Sequence, residues 1–467
     1  MANVLEFVLP YLIIPFLETI DMMRVSTTSK TFYNYRDHLK DIVIRRSYDI
    51  PPEFQDLLKY NVLARYQYFL LISTSLVNFL NNKIHLHSLT IKEGTWLAAI
   101  NWVLMNHLLP RIENLHVDSC FTSENISELS FYNYPQLQKI TITNMEIEKK
   151  CLKSFFDNMC EFKQKHVKEL HMIDNCFTYS GHGVQPSFLN YFRSNMFANL
   201  IVLNISHSSY LSLVDIGYSL NEGLAQNIEQ LILYNCNVDN LTVEFIGSAC
   251  LKGHLKKLKK INLSSNHFDV RRFQNFFLSI TNGICIFLEE INLLNIQFNI
   301  ETASFIDHAL RSKNLQKLQY LHISGYLENV MKNLIHCPSL KKLEILSYEF
   351  RYNKQTIQNL FDLNLTHLES LDISSIGILD NLKDFKIFLE MLGGSKLCNL
   401  KEIKLCYKKT CKSVIKKFAL FLETKCLTVK NVELCRHSSK FKPDVDFFKP
   451  INDVLRKRLE YSCNNVI

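Results

Sequence analysis

Between Leu86 and Leu434 one short apolar pattern, L-x-x-L-x-L with Ile, Val or Met allowed at the L positions, occurs thirteen times. The copies are Leu86-Leu89-Ile91, Ile112-Leu115-Val117, Leu137-Ile140-Ile142, Val167-Leu170-Met172, Leu200-Leu203-Ile205, Ile228-Leu231-Leu233, Leu258-Ile261-Leu263, Leu288-Ile291-Leu293, Leu318-Leu321-Ile323, Leu340-Leu343-Ile345, Leu368-Leu371-Ile373, Leu400-Ile403-Leu405 and Val429-Val432-Leu434. In each copy the last two apolar residues are two apart, so both face one side of a short strand while their neighbours face the other. Between copies run stretches such as Cys151 to Phe162, Phe305 to Leu310 and Phe385 to Leu392, whose apolar residues recur three and four apart and predict helices. Neither element can bury its apolar side alone. The pattern therefore predicts a solenoid, in which each strand and helix is covered by the copies before and after it. Several copies continue with Asn or Cys three residues beyond the last strand position, as at Asn175, Cys236 and Asn266. Such residues are expected to satisfy backbone groups where the chain leaves the strand, or to fill a small buried gap.

A repeat of this pattern, recurring about every 29 positions, resembles the leucine-rich repeat. The resemblance implies an α/β fold, a horseshoe solenoid of about 13 strand-helix repeats, with the residues that alternate with the buried pair lining a concave face. The central position of each strand is then Thr90, His116, Thr141, His171, Asn204, Ile232, Asn262, Asn292, His322, Glu344, Asp372, Lys404 and Glu433. Tyr234, Leu294, Tyr320 and Leu346 lie beside this column and supply an apolar and aromatic centre. The candidate substrate-binding residues are His171, Asn204, Ile232, Tyr234, Asn262, Asn292, Leu294, Tyr320, His322, Glu344 and Leu346.

Composition narrows the class. Hydrophobic residues make up 47% of 467, with 12 Gly and 10 Pro, which argues against long disorder. The fourteen Cys form no C-x-x-C pair; those at repeat turns, Cys120, Cys176 and Cys236, read as small buried hydrophobes of a reducing compartment. The apolar N-terminus is broken by Glu6, Glu18 and Asp21 and lacks a preceding basic region and a cleavage site, so no signal peptide is expected. Sequons at Asn125, Asn204, Asn240, Asn262 and Asn364 would carry glycans if the chain were secreted, and two of them fall on the predicted open face. Cytoplasm or nucleus is the expected location. Val62 to Leu80 is the greasiest stretch, but Arg65, Gln67 and Asn78 interrupt it and it reads as a buried helix, not a membrane span. The net charge of +8 arises entirely after residue 382. Lys408, Lys409, Lys412, Lys416 and Lys417 lie on an outer connection and helix without interleaved aromatics, which points to a solvated flank and argues against nucleic acid.

The segment Leu5 to Phe32, LEFVLPYLIIPFLETIDMMRVSTTSKTF, carries a second pattern. Leu9, Ile13 and Leu17 are four apart and make one helical stripe, and Asp21 is placed to cap a following helix. With Leu5, Ile14, Met22, Ser29, Lys30 and Phe32, these residues resemble the F-box, whose pattern runs L-P-x-E-L-x-x-x-I-L-x-x-L-x-x-x-D-L-x-x-x-x-x-V-S-K-x-F/W; Glu6 replaces its Pro and Thr28 its Val. The resemblance implies a small all-helical F-box that docks on a Skp-family adaptor and through it on a cullin complex, while the repeats hold a protein substrate for ubiquitin transfer. The domain order is then F-box 1–46, helical linker or cap 47–85, repeats 86–440 and C-terminal cap 441–467. The alternative is an interaction scaffold or inhibitor whose N-terminus only caps the solenoid. The chain is expected to be a monomer within a hetero-complex.

Catalytic patterns are missing from the sequence. It has no G-x-x-x-x-G-K-S/T, G-x-S-x-G or H-E-x-x-H motif, and Cys406 and Cys411 lack a second pair for zinc. His116, His171 and His322 belong to different repeats, and Gly181-His182-Gly183 reads as a turn. No enzyme, metal or cofactor is expected.

Overall fold

The computed structural model describes residues 41–44, 87–92, 112–118, 134–161, 166–178, 188–208, 213–325, 328–346, 365–374, 382–394, 397–407, 412–425, 428–436 and 449–456. They fall into two compact units, the first ending at Ser219 with Leu224–Ile228 added, the second comprising Leu220–Gly223 and the chain from Glu229 onward.

In the first unit the elements are β1 (Asp41–Ile44), β2 (Ser88–Lys92), β3 (Asn114–Asp118), β4 (Lys139–Thr143), β5 (Glu146–Glu148), α1 (Lys149–Glu161), β6 (Glu169–Ile173), β7 (Cys176–Thr178), α2 (Phe188–Arg193), β8 (Val202–Asn204) and, at the junction, α3 (Val214–Asn221). Strands β1, β2, β3, β4, β6 and β8 pair in parallel in that order, and β5 with β7 make a separate parallel pair. The second unit follows as β9 (Gln230–Ile232), α4 (Asn240–Leu251), β10 (Lys260–Asn262), α5 (Gln274–Thr281), β11 (Glu290–Phe298), α6 (Ile300–Arg311), β12 (Tyr320–Gly325), α7 (Glu328–Asn333), β13 (Lys342–Leu346), β14 (Ser370–Asp372), α8 (Leu382–Leu392), β15 (Glu402–Tyr407), α9 (Lys412–Lys425) and β16 (Asn431–Arg436). Every strand there is parallel to the next in sequence.

Each of the thirteen motif copies forms one strand, and burial alternates as the motif requires: Leu115 and Val117, Ile140 and Ile142, Leu170 and Met172, and Leu343 and Ile345 are buried, with half-exposed residues between. The three expected helices appear as α1, α6 and α8, and α1 turns Leu152, Phe155, Phe156 and Met159 fully inward. Aromatic contacts tie neighbouring repeats together, among them Phe156 with Phe197 and Phe277 with Phe298. Eight cysteines of the described residues are free thiols. Cys236 is buried as expected, Cys176 only half-buried, and Cys120 lies outside the described residues.

Two periodic turns hold the repeats in register. Where the chain leaves the strand, Asn144, Asp174, His207, Asn235, Ser265 and Asn295 all have φ between 53° and 60°. Short polar side chains tolerate this left-handed backbone best. The residue that follows then closes the turn. Asn175 donates to the Ile142 carbonyl at 2.9 Å and accepts the Met145 amide at 3.1 Å, and Ser208 donates to the Met172 carbonyl at 2.8 Å. Asn266 donates to the Leu233 and Leu263 carbonyls at 2.7 and 2.8 Å and accepts the Cys236 and Val238 amides at 2.9 and 3.0 Å. These bonds link each repeat to the one before, the backbone role expected of the position. At the helix exits, Gly223, Gly253 and Gly283, thirty residues apart, take positive φ, and Lys313 (φ 62°) holds the fourth such place. Around Gly253 the amides of Gly253 and His254 bond to the carbonyls of Cys250 and Ala249, a Schellman closure.

One boundary differs from expectation. Asp41–Ile44 pairs in parallel with Ser88–Ile91, so the sheet begins inside the span 1–46 that was expected to be wholly helical. The sequence Asp-Ile-Val-Ile ends in three β-branched apolar residues, which favour a strand, and the edge at β2 offers its backbone a parallel partner. The F-box positions Leu5, Leu9, Ile13, Ile14, Leu17, Asp21, Met22, Ser29, Lys30 and Phe32 lie outside the described residues, as do Val62 to Leu80. In the expected C-terminal cap, 449–456 is helical. Lys416 and Lys417 are exposed on α9, as a solvated flank requires. No helix among the described residues is long and apolar enough to cross a membrane.

Candidate open-face interaction site

Parallel register turns the central strand positions into continuous columns. In the first unit Thr90, His116, Thr141, His171 and Asn204 are successive partners. His116 Nε2 lies 3.0 Å from the Thr143 hydroxyl, which donates to Asp118 at 3.0 Å. His171 Nε2 lies 3.1 Å from Glu169, itself paired with Lys139 at 2.7 Å. Burial pushes the His171 imidazole down, the Glu169 contact opposing it. The histidines are thus engaged one by one with their own neighbours.

The asparagines of the column look inward to the backbone. The Asn204 side-chain oxygen accepts the Ser206 amide at 3.1 Å and its hydroxyl at 2.6 Å, and Asn262 repeats the arrangement on Ser264 at 3.0 and 2.6 Å. Asn292 accepts the Leu294 amide at 3.2 Å, and Asp372 the Ser374 amide at 3.0 Å. These side chains close the strand-to-turn transition. Ile232, Tyr234, Leu294, Glu344 and Leu346 are half-buried. Tyr320 is 38% exposed, and among the described residues it is the one exposed large hydrophobic residue on a strand.

From β12 to β16 the column becomes ionic. His322, 7% exposed, places Nδ1 2.7 Å from Glu344. This contact, against the opposing effect of burial, holds the Glu344 carboxyl below its usual range. Asp372, the register partner of Glu344, is raised by its own burial and by the Glu344 charge beside it. Lys404 sits 3.9 Å from Asp372 and 3.1 Å from Glu433. Glu344, Asp372, Lys404 and Glu433 follow one another in the column read from the sequence, and the register makes each the partner of the next. Among the described residues no group of His, Cys, Asp or Glu is arranged to hold a metal ion.

Strands built from the thirteen motif copies, parallel and in sequence order within each unit, define the class of protein: a leucine-rich-repeat solenoid. No protein-family model matches the chain, and no curated protein does. Among solved structures it is similar to the Rad7 and Elc1 complex of yeast, at 14% identity and TM-score 0.43, over 84% of this chain and 89% of that one. It is also similar to an internalin of Listeria monocytogenes, at 11% identity and TM-score 0.29, over 93% of this chain and 90% of that one.

Proposed function

We propose that this protein is the substrate-recognition subunit of an SCF-type cullin-RING ubiquitin ligase. The observation that carries the proposal is the F-box-like spacing from Leu5 to Phe32 placed ahead of a repeat array whose open strand face presents neighbouring side chains in columns. In this reading the segment docks on a Skp-family adaptor and the open face holds a protein substrate. The chain forms and breaks no bond itself. It raises the effective concentration of a substrate lysine near the charged conjugating enzyme, to roughly millimolar for a tethered pair. Such a receptor works in the cytoplasm or nucleus, where the pathway operates and where free thiols persist.

The test is co-purification of the full chain with a Skp-family adaptor, for the wild type and for Leu9→Asp with Ile13→Asp. Adaptor recovered with the wild type and lost with the variant supports the proposal. Adaptor retained by the variant, or missing from the wild type, overturns it and leaves an interaction scaffold capped by its N-terminus.

A further inference from the structure

Three successive helix-to-strand turns of the second unit, residues 252–257, 282–287 and 312–317, stack on one another. A Cβ on Gly253 would stand 3.7 Å from Ile284 Cγ2, Cys285 Sγ lies 3.9 Å from the Leu255 carbonyl oxygen, and Asn314 donates to the Ile280 and Thr281 carbonyls at 2.9 and 3.1 Å. Each turn buries its fourth residue, Leu255, Cys285 or Leu315, and the leucine three places further on. The pair between them faces water. Those pairs are Lys256-Lys257, Ile286-Phe287 and Gln316-Lys317, all exposed. The middle pair is apolar where its neighbours are basic or polar, with Ile286 40% and Phe287 39% exposed. Lys317 reaches back across the turns and sets its ammonium 4.4 Å from the Phe287 ring centroid.

The charge around the apolar pair is of one sign. No Asp or Glu occurs in the three turns, which carry Lys252, Lys256, Lys257, Lys313 and Lys317. The carboxylates that begin the following strands have cations of their own: Glu229 meets Lys259 at 2.7 Å, Glu290 meets Lys260 at 2.8 Å, and Glu289 acts on Lys259. Lys317 keeps its full charge, because the ring beneath it is neutral. Ile286 and Phe287 are each more than half buried in their turn, so the patch is shallow and has no apolar face to sink into a bilayer. A single Phe with one face under Lys317 offers no row of platforms for successive bases. A protein segment with an apolar side chain between carboxylates answers both features. Its apolar group covers Ile286 and Phe287, and its carboxylates meet the lysines of the turns on either side, which are spaced, like the strands they feed, by about 4.8 Å.

We infer that these three turns form a second protein-binding surface, apart from the open strand face, which takes an acidic segment of a partner carrying an aromatic or aliphatic residue between its carboxylates. The surface depends on neither the adaptor nor the open face.

The probe is a phage-displayed library of random 12-residue peptides panned on the full chain, with the affinity of recovered peptides read by fluorescence polarisation. Peptides with Asp or Glu on both sides of an aromatic or aliphatic residue are expected. Ile286→Ser combined with Phe287→Ser, and separately Lys256→Glu combined with Lys317→Glu, change exposed side chains, and the melting temperature verifies the fold. Each pair should weaken the peptides at least tenfold, while Leu420→Ser, at a 60% exposed position on α9, leaves them unchanged. A peptide of glutamates alone should bind at least tenfold more weakly than the recovered ones. Recovery of no such peptides, equal binding by the glutamate peptide, or indifference to both double substitutions overturns the inference. Phosphatidylserine vesicles and a single-stranded oligothymidine are run beside the library. If either binds through Ile286 and Phe287 while no acidic peptide is recovered, the patch serves a lipid surface or a nucleic acid, and the inference falls.

Discussion

Nδ1 of His322 lies 2.7 Å from a carboxylate oxygen of Glu344, its register partner on the next strand, and both are more than three-quarters buried. The contact opens the run of ionisable groups that crosses the last strands; it lowers Glu344, while burial raises its neighbour Asp372.

The signs can be read in a titration. Glu344 is depressed, so its contribution is present above its ordinary value of 4.5 and is lost as pH falls through the folded value. Asp372 is raised above 3.8, so the folded state loses stability as pH climbs through the window above that value. Asp372→Asn keeps the acceptor for the Ser374 amide and recreates the Asn-x-Ser arrangement of Asn204 and Asn262. It is expected to stabilise by about 0.5–1 kcal/mol at pH 7, with the gain vanishing below pH of about 3. Denaturant midpoints from pH 3 to 8 check this; a variant equally or less stable than wild type at pH 7 refutes it.

Asn266 is 2% exposed and binds five backbone groups of two repeats. Asn266→Ala leaves buried amides and carbonyls unpaired and should cost about 3–4 kcal/mol. A chemical denaturation midpoint shifted by less than 1 kcal/mol would show that water replaces the side chain.

At the helix exits Lys313 adopts the left-handed turn that glycine holds in the three preceding repeats. Lys313→Gly is expected to raise stability by about 1 kcal/mol by removing that strain. Gly325→Ala goes the other way and further, because at φ 114° its Cβ would stand 2.9 Å from the Phe298 Cβ and against the Phe298 carbonyl. The pair is read by thermal melts: a Tm lowered by Lys313→Gly, or unchanged by Gly325→Ala, contradicts the assignment of these turns.

Much of this is legible in the sequence. Leu231 and Leu233, Ile261 and Leu263, and Ile291 and Leu293 declared their strands by spacing, because only an i, i+2 pair can share a buried strand face. Asn175 and Asn266 announced their backbone role by position. Strand β1 was not legible, since Asp41–Ile44 carries no motif and its pairing depends on an edge 44 residues away. The depth of His322 was hidden too, for its burial comes from residues on neighbouring strands.

The sequence by itself determined the repeat, its period, which side chains enter the core and which residues the open face displays, because these follow from local periodicity. Tertiary structure alone decided how deep each side chain sits and which group it meets: His322 buried against Glu344, and Lys404 between Asp372 and Glu433. Residues some thirty apart in the chain become neighbours at about 4.8 Å only when parallel hydrogen bonding sets the register, and that register is a property of the assembled sheet.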